Sequence, residues 1–214
     1  MKRVLILANG KPPSKRLFDK FFALADWFVC ADGGANTAAR FDCPPDLIIG
    51  DFDSIEDETR ALFSNVGIRL LKNQNSTDLE KALTAVIQKK YKEIVVLGAT
   101  GGRLDHAIGN LSALVKFSRK AHITFIDDRG TFIAVKHSIE VNLQVGSTLS
   151  LLPLSRCNGI VTNGLKWDLK NESLELGVRE STSNICISSP VNIHVKKGSL
   201  IVFILSNNKN LFSQ

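Results

Sequence analysis

A chain of 214 residues with 44% hydrophobic and 22% charged residues reads as a soluble globular protein of one large domain or two small ones. Its net charge of +6 favours anionic ligands through the general field. No arginine-rich tract or basic-aromatic patch argues for nucleic acid, and a single tyrosine leaves few platforms for stacking bases. No apolar run approaches membrane-spanning length, and the run at 4–8 behind Lys2-Arg3 is too short for the core of a signal peptide. The cysteines Cys30, Cys43, Cys157 and Cys186 form no Cys-x-x-Cys pair, a usage that fits buried free thiols in a reducing cytoplasm.

In chain order, residues 4–8 form a first strand, closed by the turn Asn9-Gly10-Lys11-Pro12-Pro13. Ser14 caps a helix with Leu17, Phe18, Phe21, Phe22 and Leu24 on one face. A strand at 27–31 ends in Asp32-Gly33-Gly34-Ala35-Asn36 and a small-residue helix follows to about residue 40. The run 47–49 is a buried strand that leads into Gly50-Asp51-Phe52-Asp53-Ser54, followed by a short helix over 56–64 and a strand over 68–71. Leu79, Ala82, Leu83, Val86 and Ile87 repeat with helical period over 77–90, opened by a Thr77/Glu80 capping box. A strand at 93–98, a helix at 104–116 and a strand at 123–126 complete this alternation.

Beyond residue 127 the pattern changes to short strands at 131–135, 139–145, 148–152, 159–161, 185–188, 191–195 and 200–205, with no long amphipathic helix. Residues 207–214 read as a frayed tail. The expected architecture is an α/β N-terminal domain with a mainly parallel sheet over 1–135, and an all-β sandwich C-terminal domain over 136–214.

Four turns at the strand ends of the first domain carry unusual chemistry. The glycines after Asp32 leave amides for a phosphate at a helix start. Asp51 and Asp53, two residues apart in an extended segment, both face one cation, and hard oxygens with room for phosphate and water suit Mg²⁺. The segment Gln74-Asn75-Ser76-Thr77-Asp78 precedes the capped helix. In Gly98-Ala99-Thr100-Gly101-Gly102-Arg103-Leu104-Asp105-His106, glycines expose backbone and Arg103 can fork onto phosphate oxygens. Five acids, Asp32, Asp51, Asp53, Asp78 and Asp105, fall at one end of the expected sheet, where only a cation makes their clustering favourable. No nucleophile elbow, zinc spacing or Walker lysine is present, so the residues point to Mg²⁺-polyphosphate chemistry without a covalent intermediate.

These turns, in this order, resemble the thiamine pyrophosphokinase (thiamine diphosphokinase) family. The resemblance is carried by Ala31-Asp32-Gly33-Gly34-Ala35-Asn36, Gly50-Asp51-Phe52-Asp53-Ser54, Ser76-Thr77-Asp78 with Glu80-Lys81-Ala82, and Gly101-Gly102-Arg103-Leu104-Asp105-His106 with Asn110. Asn163-Gly164-Leu165-Lys166-Trp167 and Ser181-Thr182-Ser183-Asn184 extend it into the β half. It implies transfer of a pyrophosphoryl group from ATP to thiamine by a cytoplasmic homodimer with interfacial sites. Asp51, Asp53 and Asp78 would hold Mg²⁺ and act in catalysis with Arg103 and Asp105. Asp32, Gly33, Asn36, Thr77, Gly101, Gly102 and Arg103 would bind ATP. Gln74, Ser183 and Asn184 would bind thiamine, with Trp167 of the partner subunit stacked on its cationic ring. Asp78 and Asp105 are both candidates for the proton acceptor. Asn75 stands where the family pattern has an acid, and Ile185 where it has Glu. The competing readings are a pyrophosphokinase for another alcohol such as a hydroxymethylpterin, a metal-dependent phosphoesterase, and a non-enzymatic nucleotide or thiamine sensor.

Overall fold

The computed structural model describes residues 2–71 and 75–206, so Gln74 and the tail at 207–214 lie outside the described residues. The chain divides into two compact units, Met1–Asp128 and Arg129–Gln214.

The first unit alternates β1 (Arg3–Leu7), α1 (Lys15–Phe22), β2 (Trp27–Ala31), α2 (Gly34–Arg40), β3 (Leu47–Gly50), α3 (Asp57–Leu62), β4 (Gly67–Leu70), α4 (Asp78–Gln88), β5 (Glu93–Leu97), α5 (Leu104–Ser118) and β6 (His122–Asp127). Its strands run in the order β4-β3-β2-β1-β5-β6, and each of these pairs is parallel. Helical crossovers cover both faces of such a sheet, which is why β1, β2, β3 and β5 read as near-continuous apolar runs. Leu5, Ile6, Val29, Ile49, Val96 and Phe125 form its buried interior. The strand β4 is exposed at all four positions, as a sheet edge. Ser14 caps α1 by accepting the Leu17 N–H, and its hydroxyl donates to Asp128, which ties the helix start to the end of β6. The expected capping box of α4 is present in both directions: Thr77 Oγ1 accepts the Glu80 N–H, and Glu80 Oε2 accepts the Thr77 N–H. Lys116 of α5 donates to the other Glu80 oxygen at 2.8 Å, joining α4 to α5.

The second unit contains β7 (Gly130–Val135), β8 (Ser138–Val141), β9 (Thr148–Pro153), β10 (Cys157–Asn163), β11 (Lys170–Leu174), β12 (Ser181–Ile185), β13 (Val191–Lys197) and β14 (Leu200–Leu205). It is a sandwich of two antiparallel layers, β12-β9-β14-β7 and β11-β10-β13-β8. Leu149, Leu151 and Val202 from one layer meet Ile160, Leu174 and Ile193 from the other in a shared core. The strand expected over 139–145 ends at Val141, that expected over 159–161 spans Cys157–Asn163, and two more strands depart further from the sequence expectation. The polar strand β11 went unseen, and β12 lies at 181–185 rather than 185–188. Both are edge strands whose outward positions leave little apolar alternation, and Asn171 and Ser183 interrupt them at φ 60° and 56°. All four cysteines are free thiols. No helix among the described residues is long and apolar enough to cross a membrane.

Candidate active site

The carboxyl ends of β2 and β3 and the start of α4 bring three acids together. Asp32 follows β2, Asp51 follows β3, and Asp78 opens α4, which packs on both strands. One ligand oxygen from each lies within 4.8 Å of the others. Gly50 permits this approach: a Cβ there would stand 2.9 Å from the Asp32 Cβ. Asp32 is only 2% exposed and sits at φ 44°, a left-handed conformation that Asp tolerates better than most residues. The Oδ1 atoms of Asp32 and Asp51 are buried without a hydrogen-bond partner. Oxygens in that state need a donor or a cation, and three hard oxygen donors fit Mg²⁺.

Electrostatics divide the three acids. Burial pushes the Asp32 carboxyl up, against the Ser54 hydroxyl and the Gly33 amide, while the charges of Asp78 and Asp53 push it further. Burial also raises Asp51, but the Lys81 ammonium and hydrogen bonds from Asp53 and Lys81 outweigh it and hold the carboxyl below its usual range. The Lys81 Nζ lies 2.7 Å from Asp78 Oδ1 and 3.5 Å from Asp51 Oδ2, with its side chain 4% exposed. Sequence reasoning gave Lys81 no role. The available signal was its i, i+3 spacing from Asp78, which places both on one face of α4. Lys81 also lines a cavity of about 170 Å³ with Arg69, Ser76, Thr84 and Gln88.

Asp53 falls outside this group of three oxygens within 4.8 Å of one another. Phe52 between Asp51 and Asp53 has φ 67°, so the segment is not extended, yet Asp53 stays close enough to hydrogen-bond Asp51. Asp53 also accepts the Ser54 hydroxyl at 3.1 Å. The expected free amides after Asp32 are also partly committed. Those of Ala35 and Asn36 donate to the carbonyls of Asp32 and Gly33. The Asn36 side chain is a clamp: Nδ2 donates to the Ser54 carbonyl at 2.8 Å, and Oδ1 accepts the Glu56 N–H at 3.1 Å. It thereby holds the loop that carries Asp51 and Asp53. Thr77 is committed to capping α4.

Gly101 and Gly102 occupy left-handed positions at φ 76° and 69°, in a loop that Asn110 of α5 pins by donating to the Ala99 carbonyl at 2.8 Å. Arg103 and Asp105 form an exposed bidentate pair with contacts of 2.6 and 3.2 Å. That hydrogen bonding holds the Asp105 carboxyl down to about 2.

In the second unit Trp167 is 55% exposed, which excludes a core role, and the Lys166 Nζ sits 4.7 Å from its ring centroid. Asn184 is buried and bonds the Trp167 backbone with both ends of its amide. Ser183 has φ 56° and its amide donates to Ser150 Oγ at 3.0 Å.

Residues 18–126 match the model for the thiamin pyrophosphokinase catalytic domain, and residues 136–200 match that for the thiamin pyrophosphokinase vitamin B1 binding domain. The chain belongs to the thiamin pyrophosphokinase family. Thiamine pyrophosphokinase 1 of rice is 34% identical over 77% of this chain and 74% of its own length. Thiamin pyrophosphokinase 1 of Caenorhabditis elegans is 31% identical over 94% of this chain and 87% of its own. Among solved structures, the Candida albicans thiamin pyrophosphokinase has a TM-score of 0.85 at 21% identity, covering 95% of this chain and 88% of that one. The Bacillus subtilis thiamine pyrophosphokinase has 0.82 at 24% identity, covering 96% and 100%. These two likenesses establish the thiamin pyrophosphokinase fold for the chain as a whole. Within that family frame, the acids at the ends of β2 and β3 belong to the segment matched as catalytic, and Trp167 to the segment matched as vitamin B1 binding.

Proposed function

We propose that this thiamin pyrophosphokinase transfers the pyrophosphoryl group of ATP to the hydroxyethyl oxygen of thiamine, releasing AMP. The observation that carries the reading is the Asp32, Asp51 and Asp78 group with its two unpartnered buried oxygens, in a chain matched by both halves of the family. These three acids would hold Mg²⁺, with Asp53 adding charge beside Asp32. The ion supplies neutralisation of the charge that develops on the phosphate oxygens.

The residues of the chain supply the rest. The thiamine hydroxyl oxygen attacks the β-phosphorus, the bond to the α-phosphate bridging oxygen breaks, and AMP leaves with that oxygen. Arg103 forks onto phosphate oxygens and spreads the charge. Asp78 or Asp105 accepts the hydroxyl proton. While its pair with Arg103 is intact, Asp105 is a weak acceptor, because its carboxyl is held at about 2. Gly33, Thr77, Gly101 and Gly102 line the nucleotide path with backbone, and Asn36 acts through the loop it clamps. Trp167 of the partner subunit would stack on the cationic ring of thiamine with Ser183 nearby, Asn184 holds the tryptophan backbone in place, and Gln74 would join the thiamine-binding residues. The first unit binds ATP and Mg²⁺, the second binds thiamine, and two chains pair to complete the sites. Free thiols fit a cytoplasmic location.

The deciding experiment is AMP formation from ATP and Mg²⁺ by purified protein, with and without thiamine. Thiamine-dependent AMP with an equal yield of thiamine diphosphate is the expected result. AMP release indifferent to thiamine, or thiamine binding without AMP, would overturn it.

A further inference from the structure

The three clustered acids carry one buried cation of their own. Among the described residues Lys81 is the cation that the structure pairs with them, through Asp78 and Asp51, and its side chain is almost wholly enclosed. An enclosed ammonium is costly to desolvate and persists only where carboxylates surround it. Those carboxylates are equally costly to hold together without it. Three carboxylates and one ammonium leave two negative charges uncompensated, the charge that a divalent ion brings. The two unpartnered oxygens, on Asp32 and Asp51, are not among those that Lys81 pairs with: it uses Oδ2 of Asp51 and leaves Oδ1 bare.

We propose that Lys81 is the resident counter-ion of the metal site. It holds Asp51 and Asp78 in place when no metal is bound, and it sets the residual charge so that the site takes a divalent cation. Lys81 is thus a positioning residue acting through the carboxylates. The inference rests on the Mg²⁺ reading above for its second half only, since the first half concerns the metal-free protein.

The test compares wild type, Lys81→Met, and Lys81→Met combined with Asp78→Asn, by thermal melting in EDTA and in saturating Mg²⁺ at constant ionic strength. In EDTA the single variant is expected to melt about 5–10 °C below wild type, because the carboxylates lose their internal cation. The double variant has the same net site charge as wild type and is expected to recover most of that loss. In Mg²⁺ the gap between Lys81→Met and wild type is expected to narrow to less than half, as the ion replaces the missing charge. Equal melting of wild type and Lys81→Met in EDTA would overturn the proposal. A double variant as unstable as the single one would also overturn it, since lost packing and not charge would then be at work. That comparison still decides if the single variant fails to fold. A gap of unchanged width in Mg²⁺ would remove the charge-setting half. A wild type that does not respond to Mg²⁺ at all would instead refute the metal reading and leave the EDTA comparison standing.

Discussion

Asn184 grips the Trp167 backbone from both sides: its Oδ1 accepts the Trp167 N–H at 3.2 Å and its Nδ2 donates to the Trp167 carbonyl at 2.9 Å. The same Oδ1 also accepts the Ile185 N–H at 2.9 Å. Asn184 is 1% exposed, so its amide is spent inside the protein, while the indole it supports projects outward. The side chain therefore supports Trp167, and under the proposed function its effect on thiamine would run through that ring. Asn184→Ala is expected to raise the KM for thiamine about tenfold, with kcat and the KM for ATP changed less than about threefold. Stability should fall by about 1–3 kcal/mol, because buried partners lose their hydrogen bonds. Trp167→Ala should raise the thiamine KM at least as far with little change in melting, since the ring is largely exposed. Steady-state kinetics in both substrates, with melting curves, check the pair; a rise confined to the KM for ATP would refute the assignment.

Asn36 plays the corresponding part in the first unit, where it bonds Ser54 and Glu56 on the far side of the loop that carries Asp51 and Asp53. Asn36→Ala should leave that loop without its two anchors. The expected outcome is a loss of about 1–3 kcal/mol in stability, and a Mg²⁺ half-saturation concentration raised about 10–100-fold, as for loss of an outer-shell support. Titration of activity against Mg²⁺ reads the second effect. An unchanged half-saturation would mean that the loop is held by other contacts.

Much of this fold is legible in local pattern, because the parallel strands are buried on both faces and α4 repeats with a clean helical period opened by Thr77 and Glu80. The polar edges β11 and β12 are not, since edge positions need no apolar alternation. The site shows the same division. Its acids announce themselves at strand ends, yet membership of the cluster depends on which strands are neighbours and on a local dihedral. Asp32 joins Asp51 because β2 pairs with β3 and Gly50 lets them close up, and Asp53 falls outside the group of three where Phe52 turns left-handed. Neither fact has a one-dimensional signature. Asn36 and Asn184 lie in the right motifs, but only the structure shows that each side chain is spent on holding backbone elsewhere in the chain.

Asp51 and Asp53 are equivalent in the sequence and different in the structure. Asp51→Asn is expected to abolish the rise in melting temperature that Mg²⁺ alone produces, because it removes a member of the acid group. Asp53→Asn should retain at least half of that rise, yet both variants should lose turnover by about 100-fold or more, equivalent to about 2.7 kcal/mol of transition-state stabilisation. Thermal shift with Mg²⁺ in the absence of nucleotide, set beside AMP formation, distinguishes them. Equal loss of the Mg²⁺ response in both would place Asp53 back among the direct ligands.

Asp32 gives a prediction with a definite pH sign. Burial raises its folded-state carboxyl above the unfolded value near 3.8, so the native state binds the proton more tightly than the unfolded chain. Its favourable contribution is full below the unfolded value and is lost as pH rises through the folded one. At neutral pH in EDTA the charge is a cost. Asn keeps the shape, removes the charge and tolerates the φ of 44° at this position. Asp32→Asn should therefore stabilise the metal-free protein at pH 7 by about 1–3 kcal/mol, or about 2–10 °C in melting temperature. The gain should shrink on acidification and vanish below about pH 4, where the wild-type carboxyl is itself neutral. The same substitution should weaken the response to Mg²⁺, since it removes one of the two unpartnered buried carboxylate oxygens. Melting of both proteins across pH 4–8, with EDTA and with Mg²⁺, checks all three effects. A variant less stable than wild type at pH 7 in EDTA would show that the Asp32 charge is already compensated within the protein, and that the acid group does not need an ion to hold it.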